Sequence, residues 1–219
     1  MKKTIFITGA TSGIGKATAE VFAKQGHRLI ICGRRKEVLD NLQIQLSNFT
    51  DVYSLVFDVR NQQEVQNAIN SLPEEWKNID VLVNNAGNAH GLEPISDANI
   101  SDWDAMMDGN VKGLLYVSQP IIKLMKANNS GHIVNISSVA ARQTYANGTV
   151  YCASKKAVDV ISEGMRLELT EFGIKVTNVQ PGAVETDFSK VRFKGDEERA
   201  ATVYAGYEPL IAEDIADAI

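Results

Sequence analysis

Lys3-Thr4-Ile5-Phe6-Ile7-Thr8-Gly9-Ala10-Thr11-Ser12-Gly13-Ile14-Gly15 opens on a short apolar run rich in β-branched residues and passes into three closely spaced glycines. The run reads as a strand. Lys16 to Gln25, with apolar positions Ala17, Val21 and Phe22 and with Gly26 just beyond, reads as the helix it feeds. Glycines between a strand and a helix let backbone amides and the helix amino terminus come close to a pyrophosphate. The spacing is Gly-x-x-x-Gly-x-Gly, not the Gly-x-Gly-x-x-Gly of the general dinucleotide fingerprint, so the loop alone leaves an ordinary strand-to-helix turn open.

Outward from this unit the chain keeps alternating. Strands are expected at Arg28 to Cys32, Val52 to Phe57, Ile79 to Val83, His132 to Ile136 and Lys175 to Val179. Helices are expected at Glu37 to Leu46, Glu64 to Leu72, Ser101 to Lys126 and Val150 to Glu171, with no linker, repeat or low-complexity tract between them. Such alternation predicts right-handed crossovers and an α/β fold, a doubly wound parallel sheet of the Rossmann type, in a single domain over residues 1–219.

Composition agrees and removes some functions. The 219 residues, 44% hydrophobic and 22% charged, suffice for one buried core. A formal charge of −5 argues against a general nucleic-acid binder. No stretch approaches the roughly 20 apolar residues of a membrane span, and the opening run breaks at Gly9, too early for a signal peptide. A cytoplasmic location without a membrane partner is therefore expected. Cys32 and Cys152 form no metal or redox motif and read as reduced structural thiols. His27, His90 and His132 are dispersed without ligand spacing, so no metal is expected.

Tyr151 and Lys155 stand four residues apart in Val150-Tyr151-Cys152-Ala153-Ser154-Lys155 and share one face of the expected helix. An ammonium beside a phenol favours the phenolate. The ordinary phenol pKa is about 10, and each unit of lowering needs about 1.4 kcal/mol of preferential stabilisation. By itself the pair is common on solvated helix faces. However, Ser138 ends the strand-like run Gly131-His132-Ile133-Val134-Asn135-Ile136-Ser137-Ser138. It thus puts a hydroxyl at the carboxyl end of an expected parallel strand, where open α/β sheets bind ligands.

Taken in order, Thr8-Gly9-x-x-x-Gly13-x-Gly15, Asn84-Asn85-Ala86-Gly87, Asn110, Ser138, Tyr151-x-x-x-Lys155 and Pro181-Gly182 resemble the short-chain dehydrogenase/reductase family over nearly the whole chain. The resemblance implies a nicotinamide cofactor, Tyr151 as general acid/base, Ser138 polarising the carbonyl or hydroxyl, Lys155 on the nicotinamide ribose and Asn110 holding a proton-relay water. It also implies cofactor contacts at Gly9, Thr11, Ser12, Gly13, Ile14 and Gly15, at Asp58 and Val59 beside the adenine, at Asn85, Ala86 and Gly87, and at Pro181, Gly182 and Val184. A homo-tetramer or dimer is implied as well. The roles make independent sense, because ketone reduction develops negative charge on oxygen, which positioned hydroxyls stabilise.

Cofactor choice is read at the end of the second strand, Leu29-Ile30-Ile31-Cys32-Gly33-Arg34-Arg35. A carboxylate here suits the ribose 2′-hydroxyl of NAD, whereas an arginine suits the 2′-phosphate of NADP. With Arg34 and Arg35 present and no acid before Glu37, NADP is expected. Asp58 also has a bland reading, as the cap of the next helix.

For substrate, Leu72-Pro73-Glu74-Glu75-Trp76, Glu93-Pro94, Tyr145-Ala146-x-Gly148 and the stretch from Ser189 to Asp196 resemble the branch of NADP-dependent 3-hydroxy acid dehydrogenases acting on serine, allo-threonine and related acids. The resemblance places a substrate lid at about 184–210 and makes Ser138 and Tyr151 substrate contacts; within the lid, Arg192 and Lys194 are the candidates to bind a substrate carboxylate, Arg192 first for its bidentate geometry. A solvated basic loop at Arg192 and Lys194 is the bland alternative. Family members usually continue past Ile219 through a helix, a last sheet strand and a tail, so either this sequence is a truncated form or the protein lacks that edge strand. The expected function is reversible, NADP-dependent oxidation of a 3-hydroxy acid. Reduction of a 3-oxoacyl thioester or another ketone would use the same residues, while a non-catalytic NADP-binding regulator has no need of Ser138, Tyr151 and Lys155 together.

Overall fold

A computed structural model describes residues 2–206 and 208–219. Met1 and Tyr207, the latter inside the expected lid, lie outside the described residues. The main sheet is parallel: β1 (Thr4–Ile7), β2 (Arg28–Gly33), β3 (Val52–Val56), β4 (Val81–Asn84), β5 (Gly131–Ile136) and β6 (Ile174–Val179) lie in the order β3-β2-β1-β4-β5-β6. Connecting helices are α1 (Gly13–Lys24), α2 (Lys36–Leu46), α3 (Gln62–Asn70), α4 (Ile100–Met107), α5 (Gly113–Ala127) and α6 (Thr149–Leu169). Beyond β6 follow β7 (Val184–Glu185), α7 (Phe188–Arg192), α8 (Glu197–Thr202), β8 (Leu210–Ile211) and α9 (Ala212–Ala218), with β7 and β8 paired in a small separate ladder.

Successive strand residues point to opposite faces, and both faces of this sheet are covered. Phe6, Ile30, Leu82 and Ile133 pack with Val65 of α3, Val117 and Ile121 of α5, and Val158 of α6. Ile5, Ile7, Leu29, Ile31, Val81 and Val83 pack instead with Ala19 and Ala23 of α1 and with Leu39 and Leu42 of α2. Each such side chain contributes about 1.5–3 kcal/mol when fully buried. This doubly wound parallel sheet is the architecture expected from the alternation. The chain first builds outward from β1 to β3 and then returns to place β4 on the other side of β1, which opens a crevice above the carboxyl ends of β1 and β4.

Two local expectations need correction. The first helix begins at Gly13, inside the glycine loop, not at Lys16: extended Ser12 (φ −164°) delivers the chain directly into helix, so loop residues form the first turn. The single helix expected from Ser101 to Lys126 is interrupted by a π turn over Asp108–Lys112. There the Asn110 side chain is drawn onto the backbone of Asn88, accepting from its N–H at 2.7 Å and donating to its carbonyl at 2.9 Å. Widened turns of this kind recur at functional sites. At its far end, away from the crevice, α6 runs on through a short 3₁₀ turn and stops at Gly173, whose φ of +67° favours glycine.

Candidate active site

Thr8 ties the glycine loop to the end of β4. Its Oγ1 accepts the backbone N–H groups of Asn85 and Ala86, both at 2.9 Å, and the Asn85 amide donates back to the carbonyls of Thr8 (2.9 Å) and Gly9 (3.2 Å). Gly9 turns at φ +65°, and a side chain there would press on Ala86 Cα, 3.0 Å from its Cβ. Gly15 lies buried beneath the loop, where a Cβ would overlap the Gly9 carbonyl. Ser12 makes no capping bond and α1 has no acid in its first turn, so the first amides of this helix remain to be satisfied by an anion.

A cavity of about 400 Å³ opens in front of these groups. It gathers Gly9, Thr11, Ser12, Gly13, Ile14, Arg34, Arg35, Asp58, Val59, Asn85, Ala86, Gly87, Ser138, Tyr151, Lys155, Pro181, Gly182 and Val184 on one surface. At one end Arg35 donates to the carbonyl and hydroxyl of Thr11 at 3.1 and 3.0 Å, and Arg34 stands 3.6 Å from Asp58. Arg60, which sequence reasoning missed, also lines the cavity and grips Asp58 with Nε and Nη2. Burial works against the Asp58 carboxylate, but hydrogen bonds from Arg60 and the charges of Arg60 and Arg34 outweigh it and hold its pKa below the ordinary value. Three guanidinium groups against one carboxylate leave this end positive, as a phosphate requires. Asp58 does not cap the next helix; Asn61 does, accepting from Gln63 and Glu64. The signal for Arg60 was its place two residues after Asp58.

At the other end, Tyr151 and Lys155 emerge from α6, both buried. The Lys155 ammonium is turned to the Ile136 carbonyl at 3.0 Å, and its Nζ lies 6.0 Å from the Tyr151 ring centroid. Asn110 does not itself line the cavity. Its amide donates to Ser154 Oγ at 2.9 Å, and Ser154 donates to the Tyr151 carbonyl at 2.7 Å, which couples the π turn to the helix bearing the phenol. Gly87 keeps the space between them open, since a Cβ there would lie 3.1 Å from Asn110 Oδ1 and 3.4 Å from Lys155 Nζ. The Ser138 hydroxyl accepts from the Ala140 N–H at 3.1 Å. Asn88 and Ser154, neither of them singled out from sequence, are the residues that hold Asn110. Their polarity was visible, but their pairing depends on a contact between distant segments.

The expectation that Lys155 would favour the Tyr151 phenolate is overturned for the protein alone. Burial pushes the phenol up to about 12 despite its interaction with Ser138, and burial brings Lys155 down to about 8. Desolvation dominates both shifts, and the phenol draws no help from the ammonium, which is turned to the Ile136 carbonyl. A consequence for stability follows. Between about 8 and its ordinary 10.5, Lys155 binds its proton more weakly folded than unfolded, so it adds stability as pH rises; the buried Cys32 thiol, pushed up from 9 to about 12, opposes it above pH 9, and Tyr151 does so above 10. Urea unfolding at pH 8 and 9, below the range where Cys32 and Tyr151 take over, should show stability increasing in the unmodified protein, and Lys155→Met should remove that increase. An unaltered slope in the variant would assign it to other groups.

The expected substrate cation sits beside the phenol. Arg192 donates through Nε to the Gly91 carbonyl at 3.0 Å and through Nη1 to the Tyr145 hydroxyl at 3.0 Å, and its guanidinium carbon is 5.6 Å from the Tyr151 ring centroid. A small cavity of about 20 Å³ here touches Tyr151, Arg192, His90, Trp103 and Met106. Lys194 is paired with Asp102 at 2.9 Å and Arg199 with Glu93 at 3.2 Å, so this is not a solvated basic loop but a segment fastened to residues 91–102. Phe188 of α7 packs on Tyr151, ring centroids 5.7 Å apart.

The family model for short chain dehydrogenases matches residues 3–197. The chain is 43% identical over 216 residues to the NADP-dependent 3-hydroxy acid dehydrogenase of Escherichia coli O6:H1, an overlap spanning 98% of this chain and 86% of that one. It is 40% identical over 220 residues to the NADP-dependent 3-hydroxy acid dehydrogenase of Schizosaccharomyces pombe, with 99% and 85% covered. Among solved structures it is similar to the closed form of a serine dehydrogenase complexed with NADP+, at a TM-score of 0.94 and 42% identity over 98% of this chain and 86% of the other.

Proposed function

The chain belongs to the short chain dehydrogenase family, and from that premise we propose that it oxidises 3-hydroxy acids, reversibly, to 3-oxo acids with NADP. The residues present suit that cofactor: the uncapped start of α1 and the close-set Gly9 and Gly15 for a pyrophosphate, and Arg34, Arg35 and Arg60 for a 2′-phosphate. Bound there, the nicotinamide supplies the two-electron acceptor for hydride from the carbon bearing the hydroxyl.

The protein groups move and hold the proton. Tyr151 takes the hydroxyl proton during oxidation and returns it during reduction. With its pKa raised by burial to about 12, the phenol is held protonated near neutral pH, the form that reduction needs, while oxidation needs the phenolate and so gains as pH rises. Ser138 donates to the substrate oxygen, Lys155 holds the nicotinamide ribose, and Asn110 fixes the π turn beside them through Asn88 and Ser154; a relay water at Asn110 would take the second lone pair of its Oδ1. Segment 184–210 serves as the lid, with Arg192 meeting the substrate carboxylate.

The observation that carries the acid reading is the guanidinium of Arg192, 5.6 Å from the Tyr151 ring, while the nearby acids Glu93 and Asp102 are already paired with Arg199 and Lys194. A neutral thioester would leave that cation without a counterion. The test compares 3-hydroxypropionate with its methyl ester. Arg192→Ala should lower kcat/KM for the acid by roughly 10- to 100-fold, as expected for losing a charge-assisted pair, and leave the ester and the NADP affinity nearly unchanged. Equal losses for acid and ester would remove Arg192 from carboxylate recognition.

A homo-tetramer or dimer fits the exposed apolar residues on the outer faces of α5 and α6, namely Leu115, Val160 and Leu167, and sedimentation would reveal it. A cytoplasmic location suits the buried, unpaired Cys32 and Cys152. Among the described residues no helix is long and apolar enough to cross a membrane.

A further inference from the structure

Tyr145 stands in the turn that leads into α6, six residues before Tyr151. Its hydroxyl accepts Nη1 of Arg192 at 3.0 Å while the Gly91 carbonyl accepts Nε, also at 3.0 Å. These two anchors fix the plane of the guanidinium. They leave Nη2 and the second Nη1 hydrogen for a carboxylate, the end-on fork that Arg offers for bidentate binding. The guanidinium carbon lies equally far, 5.6 Å, from the ring centroids of Tyr145 and Tyr151, so the cation is held between a residue of the turn and the acid/base.

The Tyr145 ring is itself seated. It lies on Gly148, where a Cβ would overlap the ring atoms, and the Gly148 N–H donates to the Tyr145 carbonyl at 3.2 Å. Gly148 is the residue from which α6 starts, so the ring is referenced to the same helix that carries Tyr151 and Lys155. Its backbone has φ −103°, which any residue adopts, so contact with Tyr145 and not backbone conformation is what a side chain would disturb. Burial pushes the Tyr145 phenol up, with Arg192 opposing, which keeps a neutral hydroxyl facing the cation at physiological pH.

We propose that Tyr145 is a positioning residue that holds Arg192 in the orientation that receives the substrate carboxylate, and so sets the preference for 3-hydroxy acids over their neutral counterparts. The inference rests on the hydroxy-acid reading of the site. Tyr145 acts through Arg192 and takes no proton from substrate.

Four proteins test it: the unmodified chain, Tyr145→Phe, Arg192→Ala and the double variant, each assayed for NADP+ reduction with 3-hydroxypropionate and with its methyl ester. Tyr145→Phe keeps the ring and removes only the hydroxyl. Since the bond is partly exposed, kcat/KM for the acid should fall by about tenfold, at the low end for a hydrogen bond to a charged group, with the ester and the KM for NADP+ within about twofold. In the Arg192→Ala background the same change should cost nothing further. Gly148→Ala, which pushes the ring away without touching its hydroxyl, should reproduce the acid-specific loss. Equal losses for acid and ester, or a full further loss on top of Arg192→Ala, would overturn the proposal by showing that Tyr145 acts on Tyr151 or on the fold. If Arg192→Ala itself fails to distinguish acid from ester, the carboxylate reading fails first and takes the role of Tyr145 with it.

Discussion

Tyr151→Phe should bind NADP as the unmodified protein does and lose roughly 10²–10⁴-fold in kcat, the usual contribution of a general acid/base. The ring of Tyr151 is buried against Phe188 with centroids 5.7 Å apart, and Phe preserves that packing. What disappears is the one hydroxyl that faces Ser138 and the cavity. Intrinsic cofactor fluorescence or calorimetry reads binding, and NADPH absorbance reads turnover. A variant with near-normal kcat would remove Tyr151 from the path of the proton and, with it, the mechanism built on α6.

Arg34→Asp should lower the ratio of kcat/KM for NADP over that for NAD by roughly 10²–10³, through loss of a charge-assisted partner and addition of a repelling carboxylate. Arg34 is the least engaged of the three guanidinium groups at this end: it stands 3.6 Å from Asp58, whereas Arg60 holds that carboxylate at 2.6 Å and Arg35 is bonded to Thr11. Its replacement therefore breaks the fewest contacts within the protein. Steady-state rates with both cofactors decide the matter. Equal use of NAD and NADP by the unmodified protein would remove the basis of the prediction.

Sequence alone reveals the sheet because its central strands are buried on both faces, which leaves uninterrupted apolar runs such as Leu29-Ile30-Ile31, while the edge strands β3 and β6 keep exposed positions. Boundaries are less legible where a helix and a loop compete. The loop glycines disguise the true start of α1, and the apolar pattern runs straight through the π turn that carries Asn110. In the site, residues whose chemistry follows from type and spacing could be marked in advance, among them Ser138, Tyr151, Lys155 and the two arginines after β2. The contacts that hold them could not, even where the residue itself was marked. Asn88 reaches Asn110 across 22 positions, Gly91 and Tyr145 meet Arg192 across 101 and 47, and Thr8 meets Asn85 across 77. Helical spacing also misleads about charge: Tyr151 and Lys155 share a helix face, yet burial of each dominates its proton affinity.

The hydroxy-acid chemistry is tested most directly by following the hydrogen at the reacting carbon. 3-Hydroxypropionate carrying deuterium at C3, incubated with the unmodified protein and NADP+, should yield deuterated NADPH in step with the 3-oxo acid, and much faster than the methyl ester does. A protein that forms no NADPH from 3-hydroxypropionate, serine or allo-threonine, yet oxidises NADPH with a 3-oxoacyl thioester, would contradict it.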